Sequence, residues 1–145
     1  GFGGIALRAF PFEHMEAMDG FRFVVDGAVP DGLTRVLSLV SLGMTFKAVM
    51  ASVDMILTKP EYGTIVEAVA LGIPVVYVRR YNFPDEPPLV DHLHRYGRGA
   101  ELSLADFLQG RWNAAIEQAF ARPLSSTPPP LSGAQDAAHI LKDYV

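Results

Sequence analysis

TKPEYGTIVEA, residues 58–68, is the stretch that decides the fold of this chain. The short apolar run at residues 54–57 before it predicts a buried parallel strand. Residues 62–71 after it have the hydrophobic spacing of a helix. The stretch therefore predicts a strand, a tight turn and a helix in succession.

The two faces of that helix are predicted to differ in role. We expect it to bury four residues spaced i, i+3, i+4 and i+7, namely Tyr62, Ile65, Val66 and Val69. Gly63 and Glu67 lie four residues apart on the opposite face. Free N–H groups and the positive dipole end at residues 62–64 suit a phosphate, and a carboxylate one turn further suits a ribose diol. The alternative is a solvated Glu67 on an ordinary crossover helix.

Composition narrows the class of protein. A chain of 145 residues that is 50% hydrophobic is expected to form one globular domain. A net charge of -4 and the lack of any Lys/Arg run argue against nucleic-acid binding. The absence of Cys excludes disulfides and thiolate metal sites, and the four His lack ligand spacing, so no metal site is predicted. His92 and His94 point to different faces of a helix and are expected to be structural.

Targeting and membrane signals are also missing from the sequence. No apolar run approaches the roughly 20 residues that cross a bilayer, and residues 1–20 lack a basic segment followed by an apolar one. We therefore expect a cytoplasmic protein.

Strands and helices alternate along the chain. Strands are predicted at 21–25, 35–40, 54–57, 74–78 and 100–102, and helices at 13–18, 46–52, 62–71, 89–95, 103–108 and 111–121. Thr45 and Ser103 are predicted N-caps, and Gly72 a C-cap. This order predicts an α/β fold with a Rossmann-like, doubly wound parallel sheet. The loops at 26–32, 41–45, 58–63 and 79–88 should lie along one rim, where such sheets bind ligands.

The chain divides into three predicted segments. Residues 1–122 form the globular domain, 123–132 a Pro/Ser linker and 133–145 a C-terminal helix. That last helix is amphipathic and is expected to bury Ala137, Ala138, Leu141 and Tyr144.

The motifs at residues 54–68, 70–79 and 83–87 together resemble the nucleotide-sugar-binding half of two-domain, GT-B-fold glycosyltransferases. Within that fold, the chain is similar to the bacterial lipid-linked N-acetylglucosaminyltransferase of peptidoglycan synthesis and to plant galactolipid synthases. It is also similar to the glycosyltransferase-like domain of plant arabinose kinases, where Arg-Arg, a Phe and an acidic-Pro pair occur in the same place. The resemblance covers roughly residues 2–121.

The resemblance implies a role for the central helix in binding a UDP-sugar donor. The Glu at the position of Glu67 holds the ribose hydroxyls in the resembling enzymes, and the amides at Gly63 and Thr64 face the diphosphate. Gly3 and Gly4 match the glycine loop after the first strand, which also faces the diphosphate. This match implies that the first strand itself lies outside the chain.

The resemblance assigns the base and the sugar to two other loops. Leu42 and Gly43 fall where backbone groups meet the base. Asp85 and Glu86 fall where a polar pair meets the sugar hydroxyls. No catalytic residue and no cofactor are expected in this half, because the acceptor site and any base belong to the N-terminal GT-B domain. Any peripheral membrane contact would likewise come from that missing half.

Two residues depart from the pattern of the family. Glu61 stands where a turn glycine is usual, so a negative charge is expected near the phosphates and nucleotide affinity should be poor. Pro87 stands where a Gln commonly helps to hold the sugar, which leaves the donor sugar open. Arg79 and Arg80 either neutralise a diphosphate or pair with Asp85 or Glu86.

Two functions remain open on the sequence. The first is the donor-binding domain of a glycosyltransferase that transfers a hexose-type sugar and is inactive alone. The second is a non-catalytic nucleotide-sugar-binding or interaction module descended from the same fold.

Overall fold

A computed structural model describes residues 10–127, 129 and 132–142 of the chain. The predicted glycine loop at Gly3 and Gly4, and Tyr144 of the predicted C-terminal helix, lie outside these residues.

Strands and helices alternate strictly from residue 56 to residue 108 among the described elements. The helices are α1 (Phe12–Ala17), α2 (Phe46–Met50), α3 (Tyr62–Leu71), α4 (Glu86–Tyr96), α5 (Leu104–Leu108), α6 (Asn113–Ala121) and α7 (Gly133–Lys142). The strands are β1 (Phe23–Val25), β2 (Val36–Ser38), β3 (Ile56–Thr58), β4 (Val75–Tyr77) and β5 (Gly99–Glu101), and a 3-10 turn (Leu39–Leu42) follows β2.

All five strands pair in parallel, in two sheets of order β1-β2 and β3-β4-β5. Because consecutive side chains of a strand point to opposite faces, β4 contributes to two cores. Val75 and Tyr77 pack against α3 and α4, whereas Val76 and the following Val78 pack in a cluster with Trp112. Apolar packing on both faces of β4 confirms the predicted α/β class and fits a Rossmann-like, doubly wound fold.

The two sheets share the second of these cores. Val25 of β1 and Val36 of β2 belong to the same buried cluster as Val76 and Trp112. A cavity of about 460 Å³ is lined by residues of both β1 and β3, together with Phe10, Thr64 and others. The described residues therefore leave the space between β1 and β3 incompletely filled.

Helix α3 has the predicted bounds but buries a different stripe. Ile65 and Val69 are buried as expected, together with Ala68. Tyr62 and Val66 are 57% and 41% exposed, so their predicted burial is wrong. Thr64 is buried as well, so the buried face of α3 consists of residues 64, 65, 68 and 69, where the small Ala68 side chain leaves room for close packing.

Helices α4 and α7 also differ from expectation. Helix α4 begins at Glu86 rather than at residue 89, because Pro87 and Pro88 occupy first-turn positions that need no N–H donor. Helix α7 has no buried residue, so the predicted burial of Ala137, Ala138 and Leu141 is wrong. In the part of the chain that the structure describes, no helix is long and apolar enough to cross a membrane.

Candidate functional site

The candidate site lies at the carboxyl ends of β3 and β4. Thr58 and Tyr77, the last residues of these strands, pair directly in the parallel register. The turn at 59–61 and the loop at 78–85 therefore leave the sheet side by side, as the sequence predicted. Open parallel sheets bind ligands at this edge.

The first turn of α3 presents free backbone donors. The first helical hydrogen bond runs from the N–H of Ile65 to the carbonyl of Glu61, which leaves the amides of Tyr62, Gly63 and Thr64 without a helical acceptor. A Cβ built on Gly63 would have no heavy atom within 4 Å, so the space beside it is open. The turn can therefore accept an anionic group, which the helix dipole also favours.

Glu67 lies one turn further along α3 and is half-buried. It shares a helix face with the open Gly63, as expected from their spacing of four residues. Unlike Gly63, which has open space beside it, Thr64 has a side chain that is buried and lines the cavity between the sheets. The backbone amide of Thr64, rather than its hydroxyl, is the group relevant to the predicted contact.

Lys59 and Glu61 form an ion pair that the sequence did not predict. The Lys59 ammonium donates to a Glu61 carboxylate oxygen, and the lysine residue is only 3% exposed. Glu61 is the N-cap residue of α3, and its side chain makes no capping hydrogen bond. The carboxylate expected to repel phosphates therefore has a cation beside it that offsets part of its charge, and the poor nucleotide affinity stays a prediction.

Glu86 lies in the interior rather than on the surface. It is 0% exposed, and its carboxylate accepts hydrogen bonds from Arg79 and Arg80. The alternative that the two arginines pair with a nearby acid is confirmed for Glu86. Its predicted contact with a sugar is hard to reconcile with this burial, because both carboxylate oxygens already have donors.

The other predicted ligand residues lie in separate places. Asp85 is exposed at the N-cap of α4, where its side chain makes no capping bond. Leu42 and Gly43 end the 3-10 turn after β2, and Gly43 has a left-handed φ of 61°. The cavity lining includes Leu39 but neither of these two residues.

Tyr81 has a backbone conformation that points to a constrained loop. Its φ of 57° is unusual for a residue other than glycine. The Tyr81 hydroxyl donates to Glu101, and the Arg79 guanidinium lies 4.8 Å from the ring centroid. Such a conformation costs roughly 1–3 kcal/mol and persists only where surrounding contacts hold it. The loop after β4 is therefore held by Glu101 of β5 and by Arg79 of the loop itself.

No group of three or more His, Cys, Asp or Glu residues in the described ranges is arranged to hold a metal ion. The chemistry available at this edge is hydrogen bonding by backbone amides, carboxylates and guanidinium groups.

A comparison with known proteins gives a partial match to a larger protein. The chain is similar to the L-arabinokinase of Arabidopsis thaliana, with 36% identity over 96 residues, which cover 66% of this chain and 9% of that protein. The chain thus corresponds to a small part of that relative. No family model and no solved structure matches the chain.

Proposed function

We propose that this chain is the donor-binding half of a GT-B-type glycosyltransferase and that it binds a UDP-sugar at the N-terminus of α3. The observation that carries this proposal is the open first turn of α3, with Glu67 one turn further along the same helix face. Amides of Gly63 and Thr64 would bind the diphosphate, and the Glu67 carboxylate would accept hydrogen bonds from the ribose hydroxyls.

The sugar-related part of this proposal has support from the comparison. The matching relative is named as an L-arabinokinase, so a sugar-related function is plausible for the shared region. We propose that Asp85 contacts the sugar and that the backbone at Leu42 and Gly43 meets the base. The role of Gly3 and Gly4 at the diphosphate stays a prediction.

Transfer requires groups that this half is not proposed to supply. An acceptor and a base have to lie within about 3 Å of the reacting atoms, and we assign both to an N-terminal GT-B domain. We therefore expect the isolated chain to bind the donor and to transfer no sugar. The cytoplasmic location also stays a prediction.

A second candidate is a nucleotide-sugar-binding module without transferase activity. Its specific support is that the matching relative carries the name of a kinase. Both candidates require nucleotide binding. They differ in whether a protein that contains the complete two-domain unit transfers a sugar.

Two measurements test these candidates in sequence. Calorimetric titration with UDP, GDP and their sugars should show binding of UDP compounds and weaker binding of GDP compounds. If none of these ligands binds, both candidates fail. A transfer assay on the full-length protein then separates them, because glycosyl transfer supports the first and binding without transfer supports the second.

A further inference from the structure

The carboxylate of Glu86 is enclosed by donors at the beginning of α4. The Nε of Arg79 lies 3.1 Å from one oxygen, and the Nε of Arg80 lies 3.2 Å from the other. The backbone N–H of Arg80 reaches both oxygens, at 3.1 and 3.2 Å. A buried carboxylate is stable only when it is paired and hydrogen-bonded in this way. Glu86 therefore fixes the path of the chain directly after β4.

Arg80 extends this network to the turn before α3. Its terminal nitrogen Nη2 donates to the carbonyl oxygen of Pro60 at 3.0 Å, twenty residues earlier in the chain. Its guanidinium carbon also lies 3.9 Å from the ring centroid of Phe83, in the same loop. One guanidinium thus contacts the turn after β3, the loop after β4 and the first residue of α4.

We infer that Arg80 and Glu86 are positioning residues that set the distance between two parts of the donor site. Pro60 lies three residues before Gly63, the first of the amides proposed to bind the diphosphate, and Asp85, proposed to meet the sugar, directly precedes Glu86. A ligand that contacts both parts gains affinity from the second contact only when the two parts are already held at the correct spacing. This inference rests on the proposed function.

The substitution Arg80→Lys tests the inference without removing the charge. A lysine ammonium is a point donor on a flexible stem and cannot reproduce the separate Nε and Nη2 bonds to Glu86 and Pro60. Arg79→Lys is the matched variant, because Arg79 also pairs with Glu86 but has no described contact with Pro60. The ligands are UDP and whichever of UDP-glucose, UDP-galactose and UDP-N-acetylglucosamine the parent binds most tightly.

The expected result is a selective loss of the affinity that the sugar adds to UDP binding. Arg80→Lys should reduce the ratio of UDP-sugar affinity to UDP affinity by roughly 5-fold or more, while UDP affinity itself changes by less than about 3-fold. Arg79→Lys should leave that ratio unchanged. The inference is overturned if Arg80→Lys leaves the ratio unchanged, or if it weakens UDP and the UDP-sugar equally, as direct contact between Arg80 and phosphate would. It is also overturned if the parent binds UDP and UDP-sugars equally well.

Amide hydrogen exchange separates failure of this inference from failure of the proposed function. Arg80→Lys should speed exchange in the two linked segments, at the hydrogen-bonded amides of Ile65 in the first turn of α3 and Asn82 in the loop after β4, relative to both the parent and Arg79→Lys and whether or not a nucleotide binds. Faster exchange in a chain that binds no nucleotide would support the link between the loops and refute the proposed function. Unchanged exchange in both segments would refute the link itself.

Discussion

The ion pair between Lys59 and Glu61 changes what a substitution at residue 61 should do. The Lys59 charge offsets the Glu61 charge in the parent, so the parent site is less repulsive to phosphates than the sequence indicated. Removing the Glu61 carboxylate still abolishes its repulsion of the phosphates, which is worth about 1 kcal/mol after salt screening. It also leaves a buried ammonium without its counter-ion, which destabilises the free protein.

We therefore predict opposite effects on binding and stability for Glu61→Gln. UDP should bind roughly 5-fold or more tightly, because about 1.4 kcal/mol corresponds to a factor of ten. The melting temperature of the unliganded protein should fall. Glu61→Gly should also bind UDP more tightly, but its melting temperature should be lower than that of Glu61→Gln, because glycine gains more freedom in the unfolded chain. Titration calorimetry and thermal melts measure both effects. Equal or weaker UDP binding by both variants would show that the carboxylate lies away from the phosphates.

The contact between α4 and β4 is expected to make the stability of the fold depend on pH near neutrality. The hydroxyl oxygen of Tyr77 lies 2.7 Å from the Nε2 of His94, and a neutral His94 can accept that hydrogen bond. Burial lowers the pKa of His94 below its ordinary value of 6.5, Arg122 lowers it further, and Asp91 and Glu101 oppose the shift. Burial also raises the pKa of Tyr77 to about 12, so the phenol keeps its proton.

The sign of the pH effect follows from the direction of the His94 shift. Its pKa is lower in the folded protein, so the unfolded chain takes up the proton first as the pH falls through 6.5. Stability is therefore present above that value and declines below it, until the lowered folded-state pKa is reached. Hydrogen bonds from Thr34 and Ser103 respectively lower the pKa values of Glu16 and Asp106, whose ordinary values of 4.5 and 3.8 place their losses at more acidic pH.

We predict that His94→Gln reduces the drop in melting temperature between about pH 7.5 and about pH 5.5, because the titrating ring is gone. His139→Gln on the exposed helix α7 is the control and should retain the drop of the parent. Thermal melts at the two pH values make the comparison. An identical drop in the parent and in His94→Gln would show that another group governs stability in this range.

For single elements, the sequence predicted the features that depend on local residues better than the features that depend on long-range packing. The bounds of α3 and its end at Gly72 were predictable, because Gly72 adopts the left-handed φ of 69° that favours glycine. The N-caps Thr45 and Ser103 were confirmed for the same local reason, since each accepts a hydrogen bond from the third residue of its helix. The buried stripe of α3 depends on which neighbours pack there, and residue spacing alone did not determine it.

The candidate site shows the same difference between local and distant information. The sequence predicted the open amides at 62–64 and the position of Glu67, because both follow from helix geometry. It did not predict the burial of Lys59 or Glu86. Burial of a charge depends on partners brought from elsewhere, and the bond from Arg80 to Pro60 spans twenty residues. The position of a charged residue next to an apolar strand in the sequence does not indicate whether such a partner will bury it.

For the whole molecule, the split between the two sheets bears on the expectation that the first strand lies outside residues 1–145. The N–H of Phe23 bonds to the carbonyl of Arg35, directly before β2, and that of Ile56 bonds to the carbonyl of Pro74, directly before β4. Successive backbone groups of a strand point to opposite sides, so those of Val24 and Leu57 point to the other edges. In the described ranges, no strand pairs with either of these edges. A further parallel strand there would join both sheets, and its presence in the full protein stays a prediction.

Hydrogen exchange tests this prediction at two amides. If the first strand lies outside residues 1–145, the Val24 and Leu57 amides should exchange quickly in this chain, because an edge strand leaves its outward groups to water. In a protein lengthened at its N-terminus by the preceding residues of its gene, both should slow by roughly tenfold or more, since a paired amide exchanges only on opening. Val76 in the central strand β4 is the control and should be slow in both proteins. Val24 and Leu57 amides that are already as slow as Val76 in the shorter chain would contradict the prediction.

The central claim is that the face of α3 carrying Gly63 and Glu67 binds a uridine nucleotide, and titration of UDP into the parent and Glu67→Ala tests it most directly. Hydrogen bonds from two ribose hydroxyls to a carboxylate should be worth about 2–4 kcal/mol, so the variant should bind roughly 30-fold more weakly or worse. Its melting temperature should barely change, because replacing a half-buried helix Glu that has no described partner by Ala costs little. Glu117→Ala, at an exposed position of α6, is the matched control and should bind like the parent. Parent and Glu67→Ala chains that bind UDP equally well, or a parent that does not bind it, would contradict the claim.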